Sequence, residues 1–282
     1  MKNIFFLFTI NFSILFGQFS YPAEDFLGGG IGYSPMYIKL ESIPGADSLV
    51  NLGLDPNNFA DPFVVHGGEG FAHVTGRWRI GGYAGMGGSS ISTIPTIKVY
   101  VDTEAEGWQS EETQDYTDDF NPSIKAKFSF LLGAASVEYV MPLLQDLELS
   151  SGALMGLGRV GMAIDQQSGN PRWDKVFSNA YGTMTDGVLY YPVLDINNPD
   201  DIIPGKVAGL QRDVSAIFFN FQPYIAVKWQ FLERLGLRIS VGANKGTVNA
   251  GSWKLNGRTP ISDSPKSSIS GITFRTMLYI GL

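Results

Sequence analysis

The stretch that decides the fold is IFFNFQPYIAVKWQF, which covers residues 217–231. Every odd-numbered position in it is apolar or proline, whereas the even positions include Asn220, Gln222 and Lys228. A period of two residues places these two sets on opposite faces of a β-strand. The stretch therefore predicts a long strand with one apolar face and one polar face.

Two further stretches near the C-terminus repeat this pattern. After a short connection at residues 232–234, residues 235–244 alternate apolar side chains with glycine, arginine, serine and asparagine. Residues 272–282 place apolar side chains opposite Thr273 and Arg275. Three consecutive segments with the same two-residue period are typical of an antiparallel sheet and not of helices.

Five more strands are predicted upstream, which brings the total to eight. Within the last of them the parity of the apolar positions changes near Gly158, which suggests a β-bulge there. The five segments are residues 28–40, 63–74, 77–90, 124–141 and 147–164.

The predicted connections alternate strictly between short and long. The short ones lie near residues 75–76, 142–146 and 232–234, and the long ones cover roughly 41–62, 91–122, 165–211 and 248–267. Outer-membrane barrels have short periplasmic turns and long external loops. The pattern predicts an all-β, closed, antiparallel up-and-down transmembrane β-barrel. If Ile97–Val101 and Val188–Leu194 also crossed the bilayer, the barrel would have ten strands.

The N-terminus has the features of a cleavable signal peptide. Lys2 is followed by the apolar run Ile4–Phe16 and then by small and polar residues from Gly17 onward. This run is too short for a spanning helix and has the length of a signal-peptide core. We expect residues 1–17 to be removed after export, residues 18–26 to form a short periplasmic segment, and residues 27–282 to form the barrel domain.

The composition excludes several classes of function. The chain has no cysteine, so neither a disulfide nor a thiolate site is possible. Its formal net charge of −7 argues against nucleic-acid binding, which needs basic surfaces. The mean hydropathy of +0.03 is that of a soluble protein, but a barrel with alternating strands has the same average.

The architecture resembles the small eight-stranded outer-membrane barrels of the OmpA, OmpX and OmpW kind. The last strand, with Phe274, Leu278, Ile280 and Leu282, is similar to the C-terminal assembly signal of that class, although an aromatic residue is usual where Leu282 stands. The resemblance implies a location in the outer membrane of a Gram-negative-type bacterium. It also implies contact with membrane lipid and insertion by periplasmic chaperones and the barrel-assembly machinery, and we expect a monomer.

Alternation alone does not decide which strand face is outside, because a soluble, secreted lipocalin-like barrel that binds an apolar ligand would show the same period. Two features favour lipid on the apolar face. Glycines concentrate on the polar faces, where the narrow interior of an eight-stranded barrel needs small residues. Trp78, Trp229 and Phe231 lie beside short turns, where an interfacial aromatic girdle is expected.

The polar faces then predict a cluster of charges inside the barrel. Buried charges must be paired, so we hypothesise that two further glutamates, Glu69 and Glu138, also turn inward and complete an ion-pair plug. The alternative is a basic, anion-selective pore. The other expected members are Lys125, Lys127, Glu148, Lys228, Arg238 and Arg275.

No catalytic, cofactor or metal site is predicted. The two histidines, His66 and His73, point to opposite faces of one strand, and a Ser–His set with Ser89 or Ser90 would be a coincidence of spacing. The acidic loop 91–122 is better explained as a solvated loop that repels anions than as a calcium site, and the aromatic loop 165–211 suits either ligand capture or packing on the barrel mouth.

The sequence thus favours a non-enzymatic barrel with a structural or loop-mediated interaction role. A small channel for hydrophobic or small anionic solutes and the soluble ligand-binding barrel are the alternatives.

Overall fold

The computed structural model describes residues 28–96, 98–99, 114–115, 117–120, 122–144, 146–167, 183–185, 188–190 and 212–281. Strands dominate these residues. The elements that precede the longest strands are β1 (Gly29–Tyr33), β2 (Met36–Leu40), α1 (Ala46–Asn51), a 3-10 turn (Pro56–Asn58), β3 (Phe63–Thr75), β4 (Trp78–Thr93), β5 (Lys98–Val99), β6 (Gln114–Asp115) and α2 (Thr117–Phe120). They are followed by β7 (Ser123–Leu144), β8 (Leu147–Gln167), β9 (Thr183–Thr185), β10 (Val188–Tyr190), β11 (Arg212–Leu232), β12 (Leu235–Val248), β13 (Lys254–Leu255), β14 (Thr259–Pro260) and β15 (Ser267–Gly281).

Eight antiparallel strands form a hydrogen-bonded ring, which confirms the predicted fold class. The first ring strand consists of β1 and β2, interrupted at Ser34 and Pro35, and it pairs with β3 on one side and β15 on the other. The remaining pairs follow chain order through β4, β7, β8, β11 and β12 to β15. The two segments of the ten-strand alternative pair elsewhere: β5 pairs with β6, and β10 pairs with β9.

The connections alternate as predicted. The strand ends joined by short connections (residues 76–77, 145–146 and 233–234) lie at one end of the ring, and those joined by long connections (41–62, 94–122, 168–211 and 249–266) lie at the other. The register of β8 with both neighbours runs without a shift through Gly158. The predicted bulge is therefore wrong, and the change of parity near Gly158 has another cause.

That cause is a change in the chemistry of the inward face. The buried inward side chains are largely polar or charged in the half of the barrel nearest the short turns, which we call the turn-side half. They are largely apolar in the other half, which we call the loop-side half. The turn-side half comprises residues 29–34, 69–75, 78–84, 134–144, 147–153, 221–232, 235–243 and 272–281, and the loop-side half comprises residues 35–40, 63–68, 85–93, 123–133, 154–167, 212–220, 244–248 and 267–271. On β7, for example, Glu138 and Phe128 are both buried on the same face.

On the outward face the polarity changes in the opposite direction along the strands. Large apolar side chains cover the outside of the turn-side half and the adjoining part of the loop-side half. Phe219, Trp229, Ile239 and Phe274 are 58%, 52%, 38% and 40% exposed, so they point away from the interior. Closer to the loops the outward residues become polar, as with Lys125 and Lys127 on β7. An apolar outer belt on a ring of strands is the arrangement that lipid requires.

The long connections contribute an apolar cap over the loop-side half. Leu49, Leu54 and Phe59 from residues 41–62, together with Trp253 from residues 249–266, are at most 5% exposed and join the same core as Phe128. Among the described residues, none of the helices has the length and apolar character needed to cross a bilayer.

Candidate functional site: the charged interior

Each of the eight ring strands contributes a buried polar side chain to one connected set inside the turn-side half. The two-residue period of the strands directs these side chains inward. All eight side chains are at most 8% exposed. In ring order they are Ser34, Glu69, Arg79, Glu138, Glu148, Lys228, Arg238 and Arg275.

Glu69 is held by three donors from other strands. Its Oε2 accepts hydrogen bonds from Arg275 Nη1 at 3.1 Å and from Ser34 Oγ at 3.1 Å. Its Oε1 is bonded to Arg238 Nη1. Both carboxylate oxygens are therefore engaged with buried donors, as a buried charge requires.

Glu138 and Glu148 continue the chain of charges. Glu138 Oε1 accepts from Arg238 Nη2 at 2.6 Å and from the Tyr224 hydroxyl at 2.8 Å. Its Oε2 lies 3.6 Å from Arg79 Nη1. Glu148 accepts from Arg79 Nη2 at 2.5 Å and from Lys228 Nζ at 3.0 Å. Each arginine between two glutamates bridges them.

The result is an alternating chain across the lumen, which we call the charge network. It runs basic–acidic–basic from one end to the other, and its four cations and three anions leave one positive charge. Its members are Arg275, Glu69, Arg238, Glu138, Arg79, Glu148 and Lys228.

Aromatic rings fill the space beside the network. The guanidinium carbon of Arg79 is 4.5 Å from the ring centre of Phe71, and that of Arg275 is 4.6 Å from the ring centre of Tyr224. Contacts at this distance stabilise a desolvated cation. The network is thus packed as well as paired.

The predicted cluster differs from the observed one at three positions. Lys125 and Lys127 were expected inside, but both are exposed on the outward face of β7, so that prediction is wrong. It assumed that the apolar face meets lipid along the whole strand, whereas the loop-side part of β7 turns its apolar residues inward. Arg79 is in the network but was not predicted. Its neighbour Trp78 was expected to face outward, and the two-residue period places Arg79 inside.

A layer of aromatic side chains, which we call the aromatic layer, fills the loop-side half next to the network. Phe63 contacts Phe128 with ring centres 5.3 Å apart and Phe130 at 6.4 Å, and Phe130 contacts Phe218 at 5.6 Å. All four are at most 3% exposed. Sequence reasoning missed this layer because it assigned the apolar set of β7 to lipid.

The outer surface carries the residues predicted for the membrane boundary. Trp78, Trp229 and Phe231 point outward beside short turns, with exposed fractions of 49%, 52% and 40%. Trp78 packs on Tyr139 with ring centres 5.3 Å apart, and Trp229 packs on Phe231 at 5.6 Å.

The residues predicted for the assembly signal lie on the same outer surface. Phe274, Leu278 and Ile280 point outward from β15 and are 40%, 54% and 60% exposed. Leu282 and the proposed signal peptide lie outside the described residues. Recognition of this strand by an assembly machine stays a prediction.

The two histidines occupy separate environments. His66 is exposed and its Nδ1 lies 2.7 Å from the Tyr33 hydroxyl, whereas His73 faces the interior and its Nε2 accepts from Arg79. Ser89 faces the interior side of β4 and accepts from the Ala60 amide, so it is not paired with His66. Within the described ranges, no three His, Asp or Glu side chains are grouped as metal ligands would be.

Together, the ring of eight strands, the outward apolar belt and the charged interior define an outer-membrane β-barrel protein. No protein-family model matches the sequence, and no curated protein is significantly similar to it. The class therefore rests on the strands themselves and on what their two faces expose.

Several solved structures share parts of this architecture at low similarity. Ail of Yersinia pestis, solved in complex with the heparin analogue sucrose octasulfate, is 7% identical over 90% of this chain and 97% of that chain, with a TM-score of 0.36. A major outer membrane protein from Thermus thermophilus is 9% identical over 90% and 99%, with a TM-score of 0.39. The outer membrane protease OmpT from Escherichia coli is 9% identical over 94% and 97%, with a TM-score of 0.30.

Proposed function

We propose that the protein is a sealed outer-membrane barrel with a structural or loop-mediated interaction role, and that it is neither a channel nor an enzyme. The proposal includes export by the N-terminal signal and a monomeric state. In this proposal the interior side chains stabilise the barrel, and the external loops contact other molecules.

The observation that carries the proposal is the filling of the lumen at two levels. The charge network crosses the turn-side half, and the aromatic layer crosses the loop-side half. An eight-stranded barrel has an interior just wide enough for its side chains. A solute would have to displace both levels as well as the apolar cap that includes Phe59 and Trp253.

The external side is supported as the working surface by the lengths of its connections. Four long connections join strand ends at the loop end, whereas the three connections at the other end are short. Functional residues are found disproportionately on loops that a rigid scaffold positions. The acidic residues of 91–122 and the aromatic residues of 165–211 fall mostly outside the described residues, so their roles stay predictions.

Reconstitution into planar lipid bilayers tests the seal. We expect the purified protein to insert without stepwise conductance, under conditions where a porin of known conductance gives steps. Reproducible steps would contradict the proposal and favour the channel. In that case the single positive charge of the network predicts anion selectivity, which the reversal potential in a salt gradient measures.

Cell fractionation tests the membrane location independently. We expect the exported protein to remain with the membrane fraction until detergent is added, because its outward apolar belt requires lipid. Recovery in the periplasm without detergent would support the soluble ligand-binding barrel. That alternative is not favoured by exposed residues such as Phe219 and Trp229.

A further inference from the structure

A groove of about 660 Å³ runs across the outer surface of β3, β4, β7, β8 and β11. One part of it is apolar, with Met86 and Leu131, which are 65% and 48% exposed. The other part carries the side chains of Lys127, Arg159 and Asp213. The groove therefore joins an apolar and a charged surface on the outside of the barrel.

Small residues form the floor of this groove. Gly88, Ser129 and Gly161 are register partners on three neighbouring strands, so they lie side by side along one row. A side chain at Gly88 would meet only ordinary contacts, with Phe128 O at 3.6 Å and Lys127 Cε at 3.8 Å from the position of its Cβ. The depression thus exists because side chains are small, and a larger one at Gly88 would fill it without displacing the sheet.

The groove lies where the outer surface changes from apolar to polar. Toward the short turns, the next outward residues include Leu157 and Phe219, which are 63% and 58% exposed. Toward the loops, Lys125 follows Lys127 on β7. In a bilayer this change marks the boundary between hydrocarbon and headgroups. The charged part of the groove therefore lies at headgroup level in the leaflet nearest the loops.

The charges of the groove match a phosphate. Among the described residues, neither Lys127 nor Arg159 forms an ion pair, and Arg159 Nη2 donates to Ser215 Oγ at 2.9 Å. Two cations and one carboxylate leave a single positive charge, which suits an anionic headgroup. Clustered basic residues next to a membrane are a known recognition surface for anionic lipids.

We propose that this groove binds the phosphate-bearing headgroup of an anionic lipid. Lys127 and Arg159 contact the phosphate, and Met86 and Leu131 contact the start of the acyl chains. The proposal requires the barrel to be in a membrane but does not depend on whether the lumen is sealed.

Native mass spectrometry of the full chain in detergent tests the site with two lipids of the same acyl chains. We expect retention of dioleoyl phosphatidylglycerol at least about fivefold above dioleoyl phosphatidylcholine, and loss of this preference in the double variant Lys127→Ala with Arg159→Gln. Lys245→Ala is the matched control, because Lys245 is also exposed on the outward face but lies on β12, outside the groove. Equal retention of the two lipids by the wild type, or an unchanged preference in the double variant, would overturn the proposal.

A steric variant tests the same site without changing charge. Gly88→Phe should reduce phosphatidylglycerol retention, whereas Gly70→Phe should not. Gly70 also lacks close neighbours, with Gly30 O at 3.7 Å from its Cβ position, but it lies outside the groove. Competition with inorganic phosphate distinguishes a lipid site from a site for the free ion. We expect that inorganic phosphate, at the same concentration as the lipid, does not displace bound phosphatidylglycerol. Displacement would assign the groove to phosphate ion and overturn the lipid assignment.

Discussion

The two halves of the barrel have the same backbone but opposite distributions of polarity. The turn-side half has a charged interior and an apolar exterior, whereas the loop-side half has an apolar interior and, near the loops, a polar exterior. On β7 the inward face carries Glu138 in one half and Phe128 in the other, with no break in register. The pleat of a strand therefore determines whether a side chain points inward or outward, but it does not determine whether the inward side chains are polar or apolar.

The difference shows what determines the polarity of a face. Where lipid surrounds the barrel, the apolar side chains are stable outside, and the interior takes the polar ones, which must then be paired. Where water surrounds the strands, apolar side chains are stable only inside. The loop-side half thus has the apolar interior of a soluble barrel, whereas the turn-side half has a polar interior and an apolar exterior.

The largest effect expected in this comparison is the loss of an arginine from the charge network. Arg238→Met would remove the guanidinium that joins Glu69 to Glu138 in a buried site. Glu69 would keep only Arg275 as a bonded cation, and the nearest cation to Glu138 would be Arg79, whose Nη1 is 3.6 Å away. We expect a loss of about 3–5 kcal/mol in the free energy of unfolding, measured by urea titration in detergent with tryptophan fluorescence. Lys245→Met, on the same strand but outward, is the control and should change the stability little. Equal stabilities of the two variants would show that the network does not stabilise the barrel.

The aromatic layer provides a test with adjacent residues. Phe218 is 2% exposed inside the loop-side half, and Phe219 is 58% exposed on the lipid face. Phe218→Ala should cost about 3–5 kcal/mol because a cavity remains in the packed interior. Phe219→Ala should cost less, because fluid lipid fills the space. A larger effect at Phe219, in the same urea titration, would contradict the assignment of faces.

Introducing a charge on the outer surface tests where the lipid belt ends. Ile225 points outward in the turn-side half and is 59% exposed, whereas Ser268 is exposed outward in the loop-side half. Ile225→Lys should cost about 2–4 kcal/mol if it lies near the middle of the bilayer. Ser268→Lys should cost less than about 0.5 kcal/mol. Unfolding from lipid vesicles measures both values, and similar costs would mean that the belt is placed wrongly.

A small effect is also expected at an ion pair in water. Lys39 Nζ lies 3.8 Å from Asp61 Oδ2, and both side chains are more than half exposed. Lys39→Ala should change the free energy of unfolding by no more than about 1 kcal/mol. Both Lys39→Ala and Arg238→Met remove a cation from an ion pair, but only Arg238 is buried. Comparing their losses in the free energy of unfolding would therefore separate the effect of burial from that of charge. A loss as large as that of Arg238→Met would indicate that Lys39 has a further structural role.

Much of the interior site was predictable from the period of the strands. Lys228, Arg238 and Arg275 stand opposite apolar residues on strands with clear alternation, and the need to pair them led to Glu69 and Glu138. Arg79 was predictable from the outward position of Trp78 but was overlooked among the glycines of β4. Tyr224, which donates to Glu138, is on the polar face of the stretch at 217–231, and only the folded structure shows which carboxylate it reaches.

The placement of Lys125 and Lys127 was not predictable in the same way. Their strand alternates as clearly as any other, and its parity is continuous from Ile124 to Val140. A two-residue period gives two faces without saying which one is inside. The apparent bulge at Gly158 has the same origin, since the inward face of β8 changes from Glu148 to Val160 in an unbroken register.

The sequence by itself determined the number of strands, their order and the end of the barrel at which the long connections lie, because alternation and turn residues act locally along the chain. The tertiary structure decided which face is inside at each height and which charges meet. Both depend on the surroundings of a strand, namely lipid, water and the strands across the lumen, and these surroundings are set only when the ring has formed.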